Sequence, residues 1–199
     1  MRRVTLLTVP LLALVLTACG GSGPQPGTAL RLDDLRVTTR HVDDVVSSYC
    51  AAAVKAGNDL SAQTARTQVV AALAARLVAQ RFAEIRGIQP DASYATARAN
   101  LRKQLSSFDT DDQDAIIEVA GAQDYVTAVI DRVGQQSFTD WLDKQHVVVN
   151  PVYGMQLEKG TFGHLDPSIS HAVSGQATTA VKSAADPSAA PAPNISSCA

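Results

Sequence analysis

Histidines, cysteines and a run of aspartates are the residues of this sequence whose types could support chemistry. The histidines do not have the spacing of a two-histidine helical zinc motif, and no Cys-x-x-Cys pair accompanies them. The sequence also has no glycine-rich phosphate loop and no Gly-x-Ser-x-Gly nucleophile elbow. We therefore predict no catalytic residue, no metal and no cofactor among His41, His146, His164 and His171. His164 and His171, in or next to the tail, are interpreted as solvated side chains.

Four aspartates, Asp109, Asp111, Asp112 and Asp114, lie just before a helical pattern. An EF-hand calcium loop needs glycine at its sixth position and an acid at its twelfth, but counting from Asp109 gives Asp114 and Ala120. Acidic side chains at a helix N-terminus interact favourably with the helix dipole. We interpret the run as a helix start.

The amino-terminal residues are typical of an export signal. Residues 1–18 begin with two arginines and continue into the apolar run Val4–Leu16, which is short for a transmembrane helix of about 20 residues. The stretch Leu16–Cys19 resembles the bacterial lipoprotein signal, in which the cysteine is lipid-modified and begins the mature chain. The alternative is an ordinary secretory signal that is cut nearby.

A lipid-modified Cys19 predicts attachment to the outer face of the cytoplasmic membrane, because each buried methylene contributes about 0.8 kcal/mol. Residues 19–28 are rich in glycine and proline and are predicted to form a flexible tether. The membrane is thus one predicted partner, reached through the lipid.

Two further cysteines, Cys50 and Cys198, would then remain in an oxidising compartment. A disulfide between them would connect the first helix with the end of the chain. The alternative is a buried, inert Cys50 and a free Cys198, because sequence alone cannot supply the required Cα separation.

Length and composition predict one domain without a nucleic-acid partner. The chain has 199 residues, of which 46% are apolar and 18% charged, and its formal net charge is −2. Nucleic-acid binding needs clustered Lys and Arg, whereas the 17 basic residues here are scattered.

The stretch Ser61–Gly87 is the longest helix signal, with Asp59 or Ser61 as its cap and Gly87 at its end. We predict that this helix is the centre of a bundle, because small alanines separate its larger apolar residues. Those larger residues recur at three- and four-residue steps: Val70, Leu73, Leu77, Val78, Phe82 and Ile85.

Other helices are predicted from Thr38 to Gly57, from Asp91 or Ser93 onward, after the aspartates up to Gly134, and around Trp141. The helix after the aspartates is predicted to bury Ile116, Val119, Ala120, Val126, Ile130 and Val133.

Three segments are predicted to be extended. Residues 28–37 form either two short strands with a turn or one irregular strand, and His146–Asn150 is β-branched and is ended by Pro151. A lone strand cannot satisfy its backbone groups, so we predict that these segments pair and that residues 157–162 add a short return strand. The predicted fold is mainly α: a bundle of four to five helices with a small β-pairing between the N-terminal segment and the C-terminal strand.

The predicted helical domain covers residues 29–163. Beyond it, residues 164–199 are rich in Ala, Ser, Pro and Thr and are predicted to form a low-complexity, disordered tail.

Two local motifs stand at the two ends of the predicted domain. Leu35–Thr38 and Val42–Asp43 lie at its beginning. The closing motif is the more specific of the two: Val147, Val149, Asn150, Pro151, Tyr153 and Gly154. With the leader and the central helix, these motifs resemble the SurA N-terminal-like family of extracytoplasmic folding helpers, which is related to the chaperone part of SurA and PrsA. The likeness covers about residues 29–163.

Two positions depart from the family pattern. Val152 stands where the family usually has arginine, and His41 stands where an acid would complete a capping box after Thr38. Larger relatives carry a parvulin-type prolyl isomerase module, which the residues after Phe162 are too poor in large apolar side chains to form.

The resemblance implies a membrane-anchored, chaperone-like protein that binds unfolded or exported polypeptides and is not an enzyme. The alternatives are a non-catalytic lipoprotein that docks one specific envelope partner and, third, a peptidyl-prolyl isomerase-related protein.

Overall fold

The computed structural model describes residues 25–158, residues 161–164 and Cys198. Over these residues the protein is mainly helical, with five α-helices, a three-stranded antiparallel sheet and a separate two-stranded hairpin. This architecture confirms the predicted fold class. The leader, Cys19 and His171 lie outside the described residues.

The domain begins with two short strands, β1 (Thr28–Leu32) and β2 (Leu35–Thr38), so the first of the two predicted alternatives is correct. Asp33, with φ 54°, and Asp34 form the turn between them. Arg81 contacts both turn carboxylates, at 3.0 and 3.2 Å, and thereby fastens the turn to the bundle.

Helix α1 (Thr39–Lys55) begins at the predicted cap. The Thr38 hydroxyl accepts a hydrogen bond from the backbone N–H of His41 at 3.1 Å, which satisfies one of the free donors of the first turn. Its buried side chains Val42, Val45 and Val46 face the rest of the core.

Helix α2 (Ala62–Arg86) is the central element, as the sequence predicts. Ser61 caps its beginning, and Gly87 ends it with a left-handed φ of 63° that glycine adopts without strain. The prediction of a buried Ile85 is wrong, because this side chain is 53% exposed. The residues that α2 buries include many alanines: Ala65, Val69, Val70, Leu73, Ala74, Leu77, Val78, Ala79, Phe82 and Ala83.

Helices α3 (Ala92–Gln104), α4 (Thr110–Val133) and α5 (Gln135–Leu142) complete the bundle. Asp91 caps α3, and Gly134 separates α4 from α5. Among the other helices, α2 makes the most extensive contact with α4.

The prediction of which α4 residues are buried is wrong at the centre of the helix. Ala120 is exposed, whereas Ala115, Ala122 and Val129, spaced seven residues apart, are buried. Small side chains let two helices approach closely, and the line of buried positions on α4 includes two alanines, Ala115 and Ala122. The larger Val119, Val126, Ile130 and Val133 lie beside this line and are half-buried.

Strand β3 (Val148–Val149) pairs with β1 in antiparallel register and joins the two ends of the domain, which confirms the predicted pairing. It is shorter than the predicted strand. The chain then forms a 3-10 helix, Pro151–Tyr153, and a hairpin of β4 (Met155–Glu158) and β5 (Thr161–His164). The predicted single return strand over residues 157–162 is therefore wrong, because these residues include the end of β4 and the beginning of β5, which are the two arms of the hairpin.

The predicted domain limits need one correction. The predicted tether ends at Thr28, but this residue lies in β1 and is only 8% exposed. Most of the predicted tail lies outside the described residues, with β5 and Cys198 as the exceptions.

Candidate functional site

The residues of the closing motif join the last part of the domain to its first strand. The Asn150 side chain donates a hydrogen bond to the Thr28 carbonyl at 3.0 Å and accepts one from the Val152 backbone at 3.1 Å. Gly154 has φ 62°, which allows the sharp turn into β4. These contacts are structural, because they join β1, β3 and the 3-10 helix.

The remaining motif residues have the same role. Val147 is buried, Val149 pairs with Leu30, and Tyr153 packs against the core. Burial of the Tyr153 hydroxyl, together with the nearby Asp43 carboxylate, raises the pKa of this tyrosine. A tyrosine with a raised pKa stays neutral at physiological pH, so the motif adds no charge to the core.

Cys50 and Cys198 are joined by a disulfide, with their Cα atoms 5.0 Å apart. The backbone N–H of Cys198 also donates a hydrogen bond to the Leu60 carbonyl at 3.0 Å. Residue 198 is therefore fixed against α1 and against the loop between α1 and α2.

A groove lies beside this attachment and has a volume of about 340 Å³. The hydroxyl of Tyr49 on α1 donates to Gln68 Oε1 on α2 at 3.3 Å, which links two walls of the groove. Its floor and walls combine small apolar side chains with amides and one carboxylate. We call it the Tyr49 groove and define it by Tyr49, Ala52, Ala53, Asn58, Asp59, Leu60, Gln68 and Ile116.

A second groove, between α1 and α4, is more open and acidic, with a volume of about 450 Å³. Here His41 Nε2 lies 3.0 Å from Glu118 Oε1, and Arg102 lies 2.6 Å from Asp114. Ser47 and Ser48 also line this groove, but neither is joined to His41 by a hydrogen bond within the described residues. A serine nucleophile with a histidine base is therefore not assembled here.

The other candidate residues do not form a site. His146 is exposed and is not among the residues that line either groove, and the His164 side chain lies outside the described part of the structure. Within residues 25–158, 161–164 and 198, no three His, Cys, Asp or Glu side chains are arranged to hold a metal ion.

The same described residues contain no helix that is both long enough and apolar enough to cross a membrane. No protein-family model, curated protein or solved structure matches this chain. The resemblance to SurA-type folding helpers therefore stays a prediction from the sequence.

The Tyr49 groove was not predicted from the sequence. Its lining comes from α1, the loop after α1, α2 and α4, which meet only in the folded bundle. The signals in the sequence were small residues at Ala52 and Ala53 and the polar loop from Asn58, but neither has a motif that would identify a binding site.

Proposed function

We propose that this protein is a lipid-anchored binding protein that works outside the cytoplasmic membrane and holds a polypeptide segment in the Tyr49 groove. The proposal rests on one observation, the groove itself. Its volume of about 340 Å³ falls in the range of roughly 300–1,000 Å³ that is usual for ligand sites, and both apolar side chains and hydrogen-bonding groups line it.

The proposed activity is chaperone-like binding of unfolded or exported chains, without catalysis. Leu60, Ile116 and the small alanines of the groove suit apolar side chains of a client, while Asn58 and Gln68 suit its backbone. The export leader and the SurA resemblance support this form of the proposal.

A second candidate is the docking of one specific envelope partner. It is favoured by the scarcity of large exposed apolar side chains, since a promiscuous chaperone surface needs many of them. Within the described residues, those exposed side chains are Val54, Ile85 and Val152.

An aggregation assay tests the proposal. The full-length protein in mild detergent, added in excess, should slow the aggregation of a chemically denatured client. Gln68→Trp fills the groove from an exposed position and should abolish this effect, whereas Gln63→Trp, also exposed on α2 but outside the groove, should not. If the two variants behave alike, the groove is not the binding site.

A pull-down from membrane extracts separates the two candidates. Many different polypeptides retained by the wild type, and lost with Gln68→Trp, support a chaperone-like role. One stoichiometric partner supports specific docking.

A further inference from the structure

The Cys50–Cys198 disulfide lies next to the Tyr49 groove at two points. On α1, Cys50 directly follows Tyr49, whose hydroxyl donates to Gln68 across the groove. At the other end of the bridge, the backbone N–H of Cys198 donates to the Leu60 carbonyl at 3.0 Å, and Leu60 lines the groove. The bridge therefore connects two of the elements that line the groove, α1 and the loop that follows it.

That loop, residues 56–60, is attached to the bundle at its two ends. Three backbone hydrogen bonds of 2.9 Å hold its beginning to the last turn of α1. At its end, the Leu60 side chain packs partly against the core, and the Leu60 carbonyl accepts the bond from Cys198. Between these ends, the side chains of Asn58 and Asp59 line the groove and form no hydrogen bond or ion pair within the described residues.

The sulfur bridge is what keeps Cys198 at the Leu60 carbonyl. A single backbone hydrogen bond does not fix a chain segment by itself, because its net contribution in water is comparable to the entropic cost of ordering one residue. The disulfide removes most of this cost, since it holds the Cα atoms of Cys50 and Cys198 5.0 Å apart. The position of the end of the loop therefore depends on the bridge.

The bridge lies where a thiol reductant can reach it. Both cysteines are only partly buried and lie at the edge of the core, and an accessible disulfide exchanges with thiols more readily than a sealed one. A dithiol of the Cys-x-x-Cys class can reduce it: one thiolate attacks a sulfur of the bridge, forms a mixed disulfide and releases the other cysteine as a thiolate. The second thiol then displaces the remaining cysteine. The dithiol becomes a disulfide, and its two protons are left on the thiols of Cys50 and Cys198.

We propose that the Cys50–Cys198 disulfide is a redox switch that regulates binding in the Tyr49 groove. The oxidised protein holds the loop in place and binds a polypeptide segment, whereas reduction by a dithiol releases Cys198 from Leu60, loosens residues 56–60 and weakens binding. This inference rests on the proposed function and adds the regulation of the same site. The fully buried part of the core contains neither cysteine, so we expect the reduced protein to stay folded.

Hydrogen–deuterium exchange tests the structural step on the full-length protein in mild detergent. Dithiothreitol should make the amides of residues 56–60 and of Cys198 exchange at least about tenfold faster, because local opening no longer has to break the bridge. Amides at the centre of α2, which lies in the core, should stay protected. Unchanged exchange of Cys198 after complete reduction would overturn the inference, and so would a bridge that dithiothreitol does not reduce in the folded protein.

Fluorescence anisotropy tests the effect on binding. The probe is a labelled, permanently unfolded polypeptide whose own cysteines are alkylated, so that the reductant acts only on the protein. Reduction should weaken binding about fivefold, which is the size of effect that the loss of one hydrogen bond produces. Reoxidation should restore the original affinity.

Cys198→Ala is the matched variant, because it keeps the backbone N–H of residue 198 and removes only the sulfur. It should bind like the reduced wild type and should not respond to dithiothreitol. Asn150→Ala controls for a general loss of stability, since it breaks structural hydrogen bonds outside the groove and should bind like the oxidised wild type. An equal loss of affinity in both variants would show an effect of stability alone and would overturn the inference.

The outcomes separate the inference from the proposed function. If the polypeptide binds oxidised and reduced protein equally well, the redox switch is wrong although polypeptide binding stands. If neither form binds, the proposed function fails, and the regulation of binding fails with it even where residues 56–60 exchange faster after reduction. The comparison of oxidised and reduced wild type decides even if Cys198→Ala does not fold.

Discussion

The Asn150 amide and the Thr28 carbonyl are 3.0 Å apart, although 122 positions separate them in the sequence. This hydrogen bond, with the backbone bond from Asn150 N–H to the Ala29 carbonyl at 2.8 Å, closes the domain where its first and last strands meet. Thr28 is buried, so a carbonyl left without its partner there loses hydration without compensation.

We therefore expect Asn150→Ala to lower the free energy of unfolding by about 1–3 kcal/mol, because it removes two side-chain hydrogen bonds. Urea unfolding followed by circular dichroism measures the change. Val152→Ala is the control, since this neighbouring side chain is 70% exposed and its truncation should change the free energy by less than about 0.5 kcal/mol. Equal effects of the two variants would contradict the assigned role of Asn150.

Phe82 should be the most sensitive position of α2. Its side chain is fully buried, and its ring packs edge-on to Phe138 at 5.3 Å and against Trp141 at 5.0 Å. Phe82→Ala should lower the free energy of unfolding by about 3–5 kcal/mol through lost burial and a new cavity. The control is Ile85→Ala, less than one turn further along the helix, which should cost far less because Ile85 is 53% exposed. Denaturant unfolding of both variants provides the comparison.

The Cys50–Cys198 disulfide closes a loop with a sequence separation of 148 residues. Chain-entropy arguments give a stabilisation of about 5 kcal/mol for a loop of this size, and the removal of native disulfides typically costs about 2–5 kcal/mol. We expect Cys50→Ala to lower the melting temperature measured without reductant. Addition of reductant should not lower the melting temperature of this variant further. An unchanged melting temperature, or free thiols at both positions in exported protein by non-reducing peptide mapping, would contradict the bridge.

Asp91 should make the start of α3 sensitive to acid. Hydrogen bonds from the Ser93 hydroxyl and then from the Tyr94 backbone lower the pKa of Asp91 below its ordinary value of 3.8. Because the folded-state pKa is the lower one, this stabilisation is present above pH of about 4 and is lost as the pH falls through the folded-state pKa.

An NMR titration of the Asp91 carboxyl group should therefore give a midpoint below 3.8. Ser93→Ala should move the midpoint upward, toward the ordinary value, because it removes the largest cause of the shift. A midpoint that is the same in both proteins would show that the hydroxyl does not stabilise the charged carboxylate.

Cys19 is predicted to carry the lipid anchor. Cells that express the full chain and are fed a labelled fatty acid should incorporate the label into the wild type and not into Cys19→Ala. Only the wild-type protein should require detergent to be extracted from the membrane, because the methylenes of its acyl chains are buried in the bilayer. Label in the alanine variant would remove the assignment.

The caps of the helices could be predicted from sequence because they depend on local chemistry. Thr38, Ser61 and Asp91 each accept a backbone hydrogen bond in the first turn, and Gly87 provides the left-handed residue that ends α2. Such signals lie within a few residues of the feature they specify.

The packing faces were harder to predict because they depend on partners that are distant in sequence. Ile85 continues the apolar period of α2 but lies in its last turn, where the side chain is not covered. On α4 the small residues Ala115 and Ala122 are buried, whereas a prediction from apolar periodicity favours the larger side chains. The same limitation applies to Asp112, whose burial the sequence did not distinguish from the exposure of Asp111.

The covalent link between Cys50 and Cys198 has a consequence for proteolysis. A protease that cuts one peptide bond anywhere between these residues produces two fragments that stay joined through sulfur. Such a nicked molecule would migrate as one band without reductant and as two bands with it. In an environment that contains secreted proteases, a single cut would therefore not release the carboxyl-terminal piece from the body of the protein.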